Sequence, residues 1–208
     1  MNYYIDFDNT LYNTNLLTKD MCNYIATEIH KSSNINLNTC IEEVTSNFNR
    51  EHIYNIYELC DFFSQKYNLN SPKLKSNIDK IILTSSKNVY NDSVDFLKSL
   101  RESGHTVNLL SYVTHENLSY QLLKLNGSKL SKYLDDIIIS SKYKFNLDLN
   151  YEDGIFVDDN PRDLEGLYNK NAKKVIRIKR ENNKYSTKEI NVNLDNYTSL
   201  KDVPITSK

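Results

Sequence analysis

Glycine is scarce in this sequence: only 4 of the 208 residues are glycine, at positions 104, 127, 154 and 166. Glycines so few and so far apart form neither a G-x-G-x-x-G turn nor a G-x-x-x-x-G-K-[ST] loop. These two loops are the backbone cradles with which many nucleotide-binding proteins hold phosphate. Both of these devices are therefore excluded.

An excess of charge of one sign is also missing. The 26 lysines and arginines nearly balance the 27 aspartates and glutamates, which gives a formal net charge of −1. A protein that binds nucleic acid or an anionic membrane through its bulk charge carries a clear excess of positive residues. We therefore expect neither a nucleic-acid partner nor a membrane partner.

Cysteines are few, and long apolar runs are absent. Cys22, Cys40 and Cys60 form no C-x-x-C pair and no cluster with histidine, which argues against a zinc site and against a disulfide scaffold. The chain does not open with a basic and then apolar signal segment, and no apolar run approaches the roughly 18 residues that span a bilayer. The sequence predicts a cytoplasmic protein with free thiols.

What the sequence does contain is an alternation of short apolar runs and helical patterns. The apolar runs are typical of buried parallel strands and cover residues 3–7, 106–110, 136–139, 155–157 and 173–178. Helical patterns follow at residues 93–103, 116–125 and 163–169. This order predicts an α/β fold with a doubly wound, Rossmann-like parallel sheet.

The helix predicted at residues 116–125 has a clear apolar spacing. Leu118, Leu122 and Leu125 share one face, which we expect to pack on the sheet, and Gly127 is expected to follow the end of the helix.

The segment from residue 13 to residue 90 breaks the alternation. It contains no convincing strand, and helical patterns cover residues 16–30, 51–67 and 74–88. We predict an all-helical cap at residues 13–90, inserted into a core made of residues 1–12 and 91–208. The tail beyond Arg180 is polar and weakly patterned, and we expect it to pack at the edge of the sheet.

Acidic and hydroxyl side chains follow the ends of the predicted strands. The first strand runs into Asp6 and Asp8, the second into Ser111, and the fourth into Asp158 and Asp159. In an open α/β sheet, ligands bind beyond these carboxyl ends. Four carboxylates in one crevice repel one another unless a cation lies among them, and oxygen ligands favour Mg²⁺. A Mg²⁺ ion beside a serine and a lysine predicts a phosphate site.

Three further residues are candidates for this site. Lys142 and Lys144 follow the third predicted strand, and Lys144 is favoured because it leaves a few residues for the chain to turn back. Asp163 either joins the site or favours the N-terminus of the helix that it opens. One of Asp158 and Asp159 could instead cap that helix.

These motifs resemble those of the haloacid dehalogenase (HAD) superfamily. The D-x-D-x-T-L block that starts at Asp6, then Ser111, then Lys142 or Lys144, and then the Asp158–Asp159 pair with Asp163 stand in the superfamily's order. The insertion after the first motif resembles the helical cap of that superfamily. Two features depart from its pattern: no Lys-Pro pair follows the third strand, and Asn9 stands where glycine is frequent.

The resemblance implies a role for each matched residue. Asp6 would be the nucleophile and Asp8 the general acid and base, and the backbone carbonyl of Asp8 would join Asp6, Asp158 and Asp159 around Mg²⁺. Ser111 would bind a phosphoryl oxygen, and the lysine would neutralise phosphoryl charge. Superfamily members that act as dehalogenases usually lack an acid where this chain has Asp8.

The sequence therefore predicts a Mg²⁺-dependent phosphohydrolase that acts through an aspartyl-phosphate. Its substrate would be a small phosphorylated metabolite or nucleotide. Two alternatives stay open at this level: a phosphotransferase or phosphomutase of the same fold, and a non-catalytic binding protein that retains the fold.

Overall fold

The structure of the chain is a computed structural model that describes residues 1–49, 55–181 and 183–205. Its contacts divide the chain into two units. The sheet unit consists of Met1–Thr14 with Lys87–Lys208, and the helical unit consists of Asn15–Ser86. No helix within the described ranges is long and apolar enough to cross a membrane.

The sheet unit contains a parallel sheet of six strands in the order β3-β2-β1-β4-β5-β6. The strands are β1 (Asn2–Ile5), β2 (Thr106–Tyr112), β3 (Asp136–Ser140), β4 (Gly154–Asp158), β5 (Lys174–Ile178) and β6 (Asp195–Tyr197). Helix α5 (Ser93–Glu102) precedes β2, α6 (Leu118–Ser128) connects β2 to β3, and α7 (Pro161–Asn169) connects β4 to β5. The predicted α/β class with a doubly wound parallel sheet is confirmed.

The register of the central strands determines where the site forms. Ile5, the last residue of β1, lies opposite Leu109 of β2 and Val157 of β4. All three side chains are buried, and all five residues of β4 are buried as well. Burial on both faces explains why these strands appear in the sequence as continuous apolar runs. The residues that follow the three strands therefore meet at one edge of the sheet.

Helix α6 differs from its prediction. Leu118 and Leu122 are 37% and 49% exposed, so the face that we expected to pack on the sheet is largely turned to solvent. The buried face instead carries Gln121, Lys124 and Leu125, because the two polar side chains have partners inside the protein. Gly127 lies within the helix and not after it, and Lys129 ends the helix in the left-handed conformation.

The C-terminal tail supplies a strand that the sequence did not predict. β6 pairs with β5 and forms the edge of the sheet, and Ile176 lies opposite Asp195. Its three residues are exposed or half-buried, so they carry no apolar run by which a strand could be recognised.

The helical unit contains the helices α1 (Thr14–Ser32), α2 (Leu37–Asn49), α3 (Ile56–Tyr67) and α4 (Ser71–Leu83). Thr14, the first residue of α1, is the last residue of the N-terminal segment of the sheet unit. Helix α2 was not predicted. The prediction at residues 51–67 corresponds to α3, but residues 51–54 lie outside the described residues. The prediction at residues 74–88 corresponds to α4, which begins earlier because Asn70 caps it, and to a separate 3₁₀ turn at Ser85–Asn88. All three cysteines are buried in this unit and form no disulfide.

Candidate active site

Asp6 and Asp8 belong to a tight loop that directly follows β1. The Asp6 amide donates to the Val157 carbonyl at 2.9 Å, which extends the pairing of β1 with β4 by one residue. The Phe7 carbonyl then accepts hydrogen bonds from the amides of Leu11 and Tyr12 at 3.1 and 3.0 Å, and these bonds turn the chain back. Both carboxylates are therefore held at the edge of the sheet.

Asn9 gives this loop its conformation. Its φ is 60°, in the left-handed region that asparagine adopts more readily than most residues other than glycine. Asparagine therefore serves at the position where the HAD pattern often has glycine.

The buried acidic cluster consists of Asp6, Asp158 and Asp159. Each of them offers a carboxylate oxygen, and these oxygens all lie within 4.8 Å of one another. The three residues are buried, with exposures of 7%, 2% and 3%. These donors are all oxygens, and oxygen ligands are the ones that Mg²⁺ prefers. The cluster therefore fits a hard divalent cation.

Lys144 is the lysine that reaches this cluster. Its Nζ lies 2.5 Å from Asp6 Oδ1 and 2.6 Å from Asp158 Oδ2, and the residue is buried. A short 3₁₀ turn after β3, Lys144–Asn146, begins at this residue. Lys142 is exposed and does not line the site. The structure thus brings Lys144, and not Lys142, to the aspartates.

The cluster carries more negative charge than Lys144 can balance. Burial, together with neighbouring carboxylates, raises the pKa of Asp6 well above its usual value, although Lys144 opposes the shift. Burial and Asp158 raise the pKa of Asp159 to about 7. Burial alone would lower the pKa of Lys144, but Asp158 and Asp6 outweigh it and raise that pKa. A divalent cation among these oxygens would relieve the repulsion.

Asp8 has a separate set of partners, which sequence reasoning missed. Its carboxylate accepts hydrogen bonds from Thr14 Oγ1, from Gln121 Nε2 at 2.8 Å and from the Lys124 ammonium. Burial raises the pKa of Asp8, but the charge and hydrogen bond of Lys124, together with the hydrogen bonds from Thr14 and Gln121, outweigh it and lower the pKa below its usual value. Asp8 is therefore held as a carboxylate that is paired with a buried cation.

Ser111 is connected to Asp8 and not to the acidic cluster. Its Oγ accepts a hydrogen bond from Gln121 Nε2 at 2.9 Å, and the same amide nitrogen donates to Asp8. Ser111 is 1% exposed and is not among the residues that line the cavity. The contact between Ser111 and a phosphoryl oxygen that the resemblance implies stays a prediction.

Asp163 lies in the first turn of α7 and also reaches the site. Its Oδ1 accepts a hydrogen bond from the Lys144 amide at 3.4 Å, and its Oδ2 accepts one from Asn160 Nδ2 at 3.0 Å. Burial and Asp158 raise the pKa of Asp163 to about 6. The cap of α7 is Asn160, whose side chain accepts from the Arg162 amide, so neither Asp158 nor Asp159 serves as the cap residue.

A cavity of about 600 Å³ opens above these groups. Its floor is acidic and carries the carboxylates of Asp6, Asp8, Asp159 and Asp163 together with the ammonium group of Lys144. The remaining lining residues are Asn9, Tyr112, Tyr143, Asn160, Arg162, Lys184, Tyr185 and Lys188. The cavity is large enough for a small metabolite, and carboxylates suited to nucleophilic and proton-transfer roles face into it.

No protein-family model and no curated protein matches the chain. Solved structures do. The chain resembles a haloacid dehalogenase-like hydrolase from Burkholderia xenovorans with a TM-score of 0.70 and 13% identity, over 96% of this chain and 93% of that one. It also resembles an HAD phosphatase from Thermococcus onnurineus, with a TM-score of 0.60 and 18% identity over 96% and 94% of the two chains.

An L-2-haloacid dehalogenase is similar as well, with a TM-score of 0.59 and 14% identity over 97% and 95% of the two chains. These likenesses show that the chain has the fold of the haloacid dehalogenase superfamily. The buried aspartate cluster fits the catalysis of that fold. Phosphatases and dehalogenases share this fold, so the fold is compatible with both reactions.

Proposed function

We propose that this chain, which has the fold of the haloacid dehalogenase superfamily, is a Mg²⁺-dependent phosphohydrolase that cleaves a small phosphomonoester. One observation carries the proposal: Asp6 and Asp8, two residues apart, both line the cavity whose floor holds Lys144. One carboxylate can attack phosphorus while the other exchanges a proton with the leaving oxygen. A halide leaves without a proton, so a haloacid substrate would give Asp8 no comparable task.

The proposed reaction has two steps. In the first, the phosphomonoester binds as its monoanion and Asp8 takes up the proton that this monoanion carries. A carboxylate oxygen of Asp6 attacks phosphorus, the bond from phosphorus to the ester oxygen breaks, and Asp8 passes the proton to that oxygen as the alcohol leaves. In the second, Asp8 takes a proton from water, the water oxygen attacks phosphorus, and the bond to Asp6 breaks. Inorganic phosphate takes the proton from Asp8 as it leaves, and Asp8 is again a carboxylate, so the cycle is balanced.

The other residues of the site would bind the phosphoryl group and the metal ion. Lys144, held by Asp6 and Asp158, would lie beside the phosphoryl oxygens and neutralise their charge. Asp6, Asp158, Asp159 and the backbone carbonyl of Asp8 would hold Mg²⁺, which when bound supplies further positive charge at the phosphoryl group. Ser111, whose Oγ accepts a hydrogen bond from Gln121, would donate its own hydroxyl hydrogen to a phosphoryl oxygen.

The helical part of the chain is proposed to be the cap. The predicted cap, residues 13–90, is inserted directly after the loop that carries Asp6 and Asp8, and we propose that it selects the substrate. That substrate would be a phosphorylated metabolite or nucleotide rather than a nucleic acid, because the chain has no excess of positive charge.

The proposal is tested by phosphate release from p-nitrophenyl phosphate. We expect release to require Mg²⁺, to stop when the metal is chelated, and to fall at least about a thousandfold in Asp6→Asn, because that change removes the nucleophile. Asp148→Asn is the matched control. Asp148 is exposed and does not line the cavity, so this variant should keep the wild-type rate.

Each of the other possible outcomes would support a different function. Equal rates for the wild type and Asp6→Asn would refute the nucleophile. Halide release from 2-chloropropionate without phosphate release from any ester would make the protein a dehalogenase. Phosphate transfer that needs a second sugar phosphate would make it a phosphomutase. Inactivity of the wild type on a broad panel of phosphomonoesters would favour a binding protein.

A further inference from the structure

The mouth of the cavity carries positive charge that the proposed hydrolysis does not use. Arg162, Lys184 and Lys188 line the cavity and are exposed. Within the described part of the chain, none of the three forms an ion pair with a carboxylate. The acidic floor already has its own buried cation in Lys144. The three charges at the mouth are therefore available to a ligand.

The segment that carries the two lysines is fixed in position. Arg177 of β5 is 2% exposed, and its Nη2 donates hydrogen bonds to the backbone carbonyls of Tyr185 and Lys188 at 2.7 and 2.6 Å. At the other end, Asn183 Nδ2 donates to the Asp159 carboxylate. A buried guanidinium is costly unless it is hydrogen-bonded, and here the two bonds that Nη2 donates hold this segment at the cavity.

The cationic groups themselves also have fixed surroundings. Lys184 Nζ and Lys188 Nζ lie 4.6 and 5.9 Å from the centre of the Tyr185 ring, which also lines the cavity. The Arg162 guanidinium lies 4.5 Å from the centre of the Tyr143 ring, and its Nη1 donates to the Tyr143 hydroxyl at 2.6 Å. Side chains that are held before binding lose less conformational entropy when an anion arrives.

We infer that the mouth is a second anion subsite, and that the preferred substrate is a phosphomonoester carrying a second anionic group, either a phosphate or a carboxylate. The inference rests on the proposed function, because it takes the scissile phosphate to bind at Asp6. A guanidinium and two ammonium groups bind both kinds of anion. A phosphomonoester with a neutral remainder would give these three cations no anionic group to bind.

The test uses two pairs of esters that differ in the second anion. Fructose 1,6-bisphosphate is compared with fructose 6-phosphate, and 3-phosphoglycerate with glycerol 3-phosphate. The measured quantity is the ratio of kcat/KM within each pair. We expect the wild type to prefer the more anionic ester about tenfold or more in at least one pair, and the pair that responds identifies the second anion as phosphate or carboxylate.

The variant is Lys184→Met combined with Lys188→Met, and its matched control is Lys170→Met combined with Lys173→Met. The control removes two exposed lysines of the same unit that do not line the cavity. We expect the preference to fall about fivefold or more in the first variant and to stay unchanged in the control. Added salt should lower the wild-type preference because it screens exposed charges.

Two results would overturn the inference alone: a wild type that hydrolyses all four esters without preference, and a lysine variant that loses rate equally on both members of a pair. If the wild type hydrolyses neither these esters nor p-nitrophenyl phosphate, the proposed function fails and the inference fails with it. If the double variant does not fold, the two single variants and the salt dependence of the wild-type preference test the inference instead.

Discussion

Asp8 is held by neighbours that leave its carboxylate little freedom. Thr14, Gln121 and Lys124 all donate to it. The Lys124 ammonium is itself confined, because it lies 5.8 Å from the centre of the Phe7 ring and 4.9 Å from that of Tyr120. A general acid works only when it is held within hydrogen-bond reach of the oxygen that it protonates. Lys124 is therefore a positioning residue for the proposed reaction.

Replacing Lys124 by methionine should lower kcat for p-nitrophenyl phosphate about 10- to 100-fold and change KM much less. The expected loss is part of the 10²- to 10⁴-fold that a positioned general acid contributes. Methionine keeps most of the length of lysine, so the packing of α6 is largely retained. Steady-state kinetics on the Mg²⁺-loaded protein, with a thermal melt to verify folding, make the measurement.

Lys98→Met is the control, since Lys98 is an exposed lysine on α5 and does not line the cavity. A folded Lys124→Met protein with the wild-type kcat would show that Lys124 does not position Asp8 for the reaction. A loss confined to KM would assign Lys124 to substrate binding instead.

The elements of this chain differ in how well their sequence predicts their role. The central strands could be predicted because burial on both faces leaves a continuous apolar run, and the register then brings Asp6 and Asp158 to one edge. The buried face of α6 could not be predicted from the sequence. Its leucines have helical spacing, but the buried positions hold Gln121 and Lys124, whose partners come from the distant loop after β1.

The sequence around a lysine in a helix does not tell whether that lysine is buried or exposed. Its burial becomes known only from the fold. For Lys142 and Lys144 this limit is partial, because the sequence favours Lys144 on the ground that the chain has to turn after β3, and Lys144 begins that turn. The signal that could have directed attention to α6 is the i, i+3 spacing of Gln121 and Lys124, which puts them on one face.

Helix α7 packs so closely on the segment after β3 that it has no room for a side chain at Gly166. A Cβ at this position would lie 2.1 Å from Cδ1 of the Phe145 ring, and that ring stacks on Tyr143 at 5.5 Å. Gly166→Ala should therefore destabilise the sheet unit by about 1–3 kcal/mol, the usual range for overpacking, despite the roughly 1 kcal/mol that alanine gains in helix propensity.

Urea unfolding followed by circular dichroism measures this effect. Asn169→Ala, at an exposed position of the same helix, is the control and should change the free energy of unfolding by less than about 0.5 kcal/mol. Equal stability of Gly166→Ala and the wild type would mean that the Phe145 ring moves aside without cost.

At the scale of the whole chain, distant segments of the sheet unit meet at Asp92, the cap residue of α5. Arg180, which follows β5, donates to both Asp92 oxygens at 2.7 and 2.8 Å and also to the Thr10 carbonyl in the loop of the site. Ser199 Oγ and the Leu200 amide donate to the same carboxylate at 2.7 and 2.9 Å. One buried ion pair thus joins the N-terminal loop, α5 and the C-terminal tail.

This pair makes the stability of the sheet unit depend on pH in a definite direction. Burial raises the pKa of Asp92, but the hydrogen bonds and charge of Arg180, together with the hydrogen bonds from Ser199 and Leu200, outweigh it and lower that pKa below its usual value. A carboxylate whose pKa is lower in the folded state stabilises that state above its unfolded pKa, and this contribution is lost as pH falls through the folded value.

Asp92→Asn should therefore cost about 3 kcal/mol at pH 7, because Arg180 loses its counter-charge in a buried site. The difference in free energy of unfolding between this variant and the wild type should stay constant down to about pH 5. It should shrink below about pH 4, because the wild-type Asp92 then becomes protonated and loses its charge as well. Urea unfolding of both proteins from pH 7 to pH 3 gives this difference, with Asp95→Asn, an exposed acid of the same helix, as the control. A difference that is independent of pH would mean that Asp92 acts through its hydrogen bonds and shape alone, while one that grows at low pH would contradict the lowered pKa.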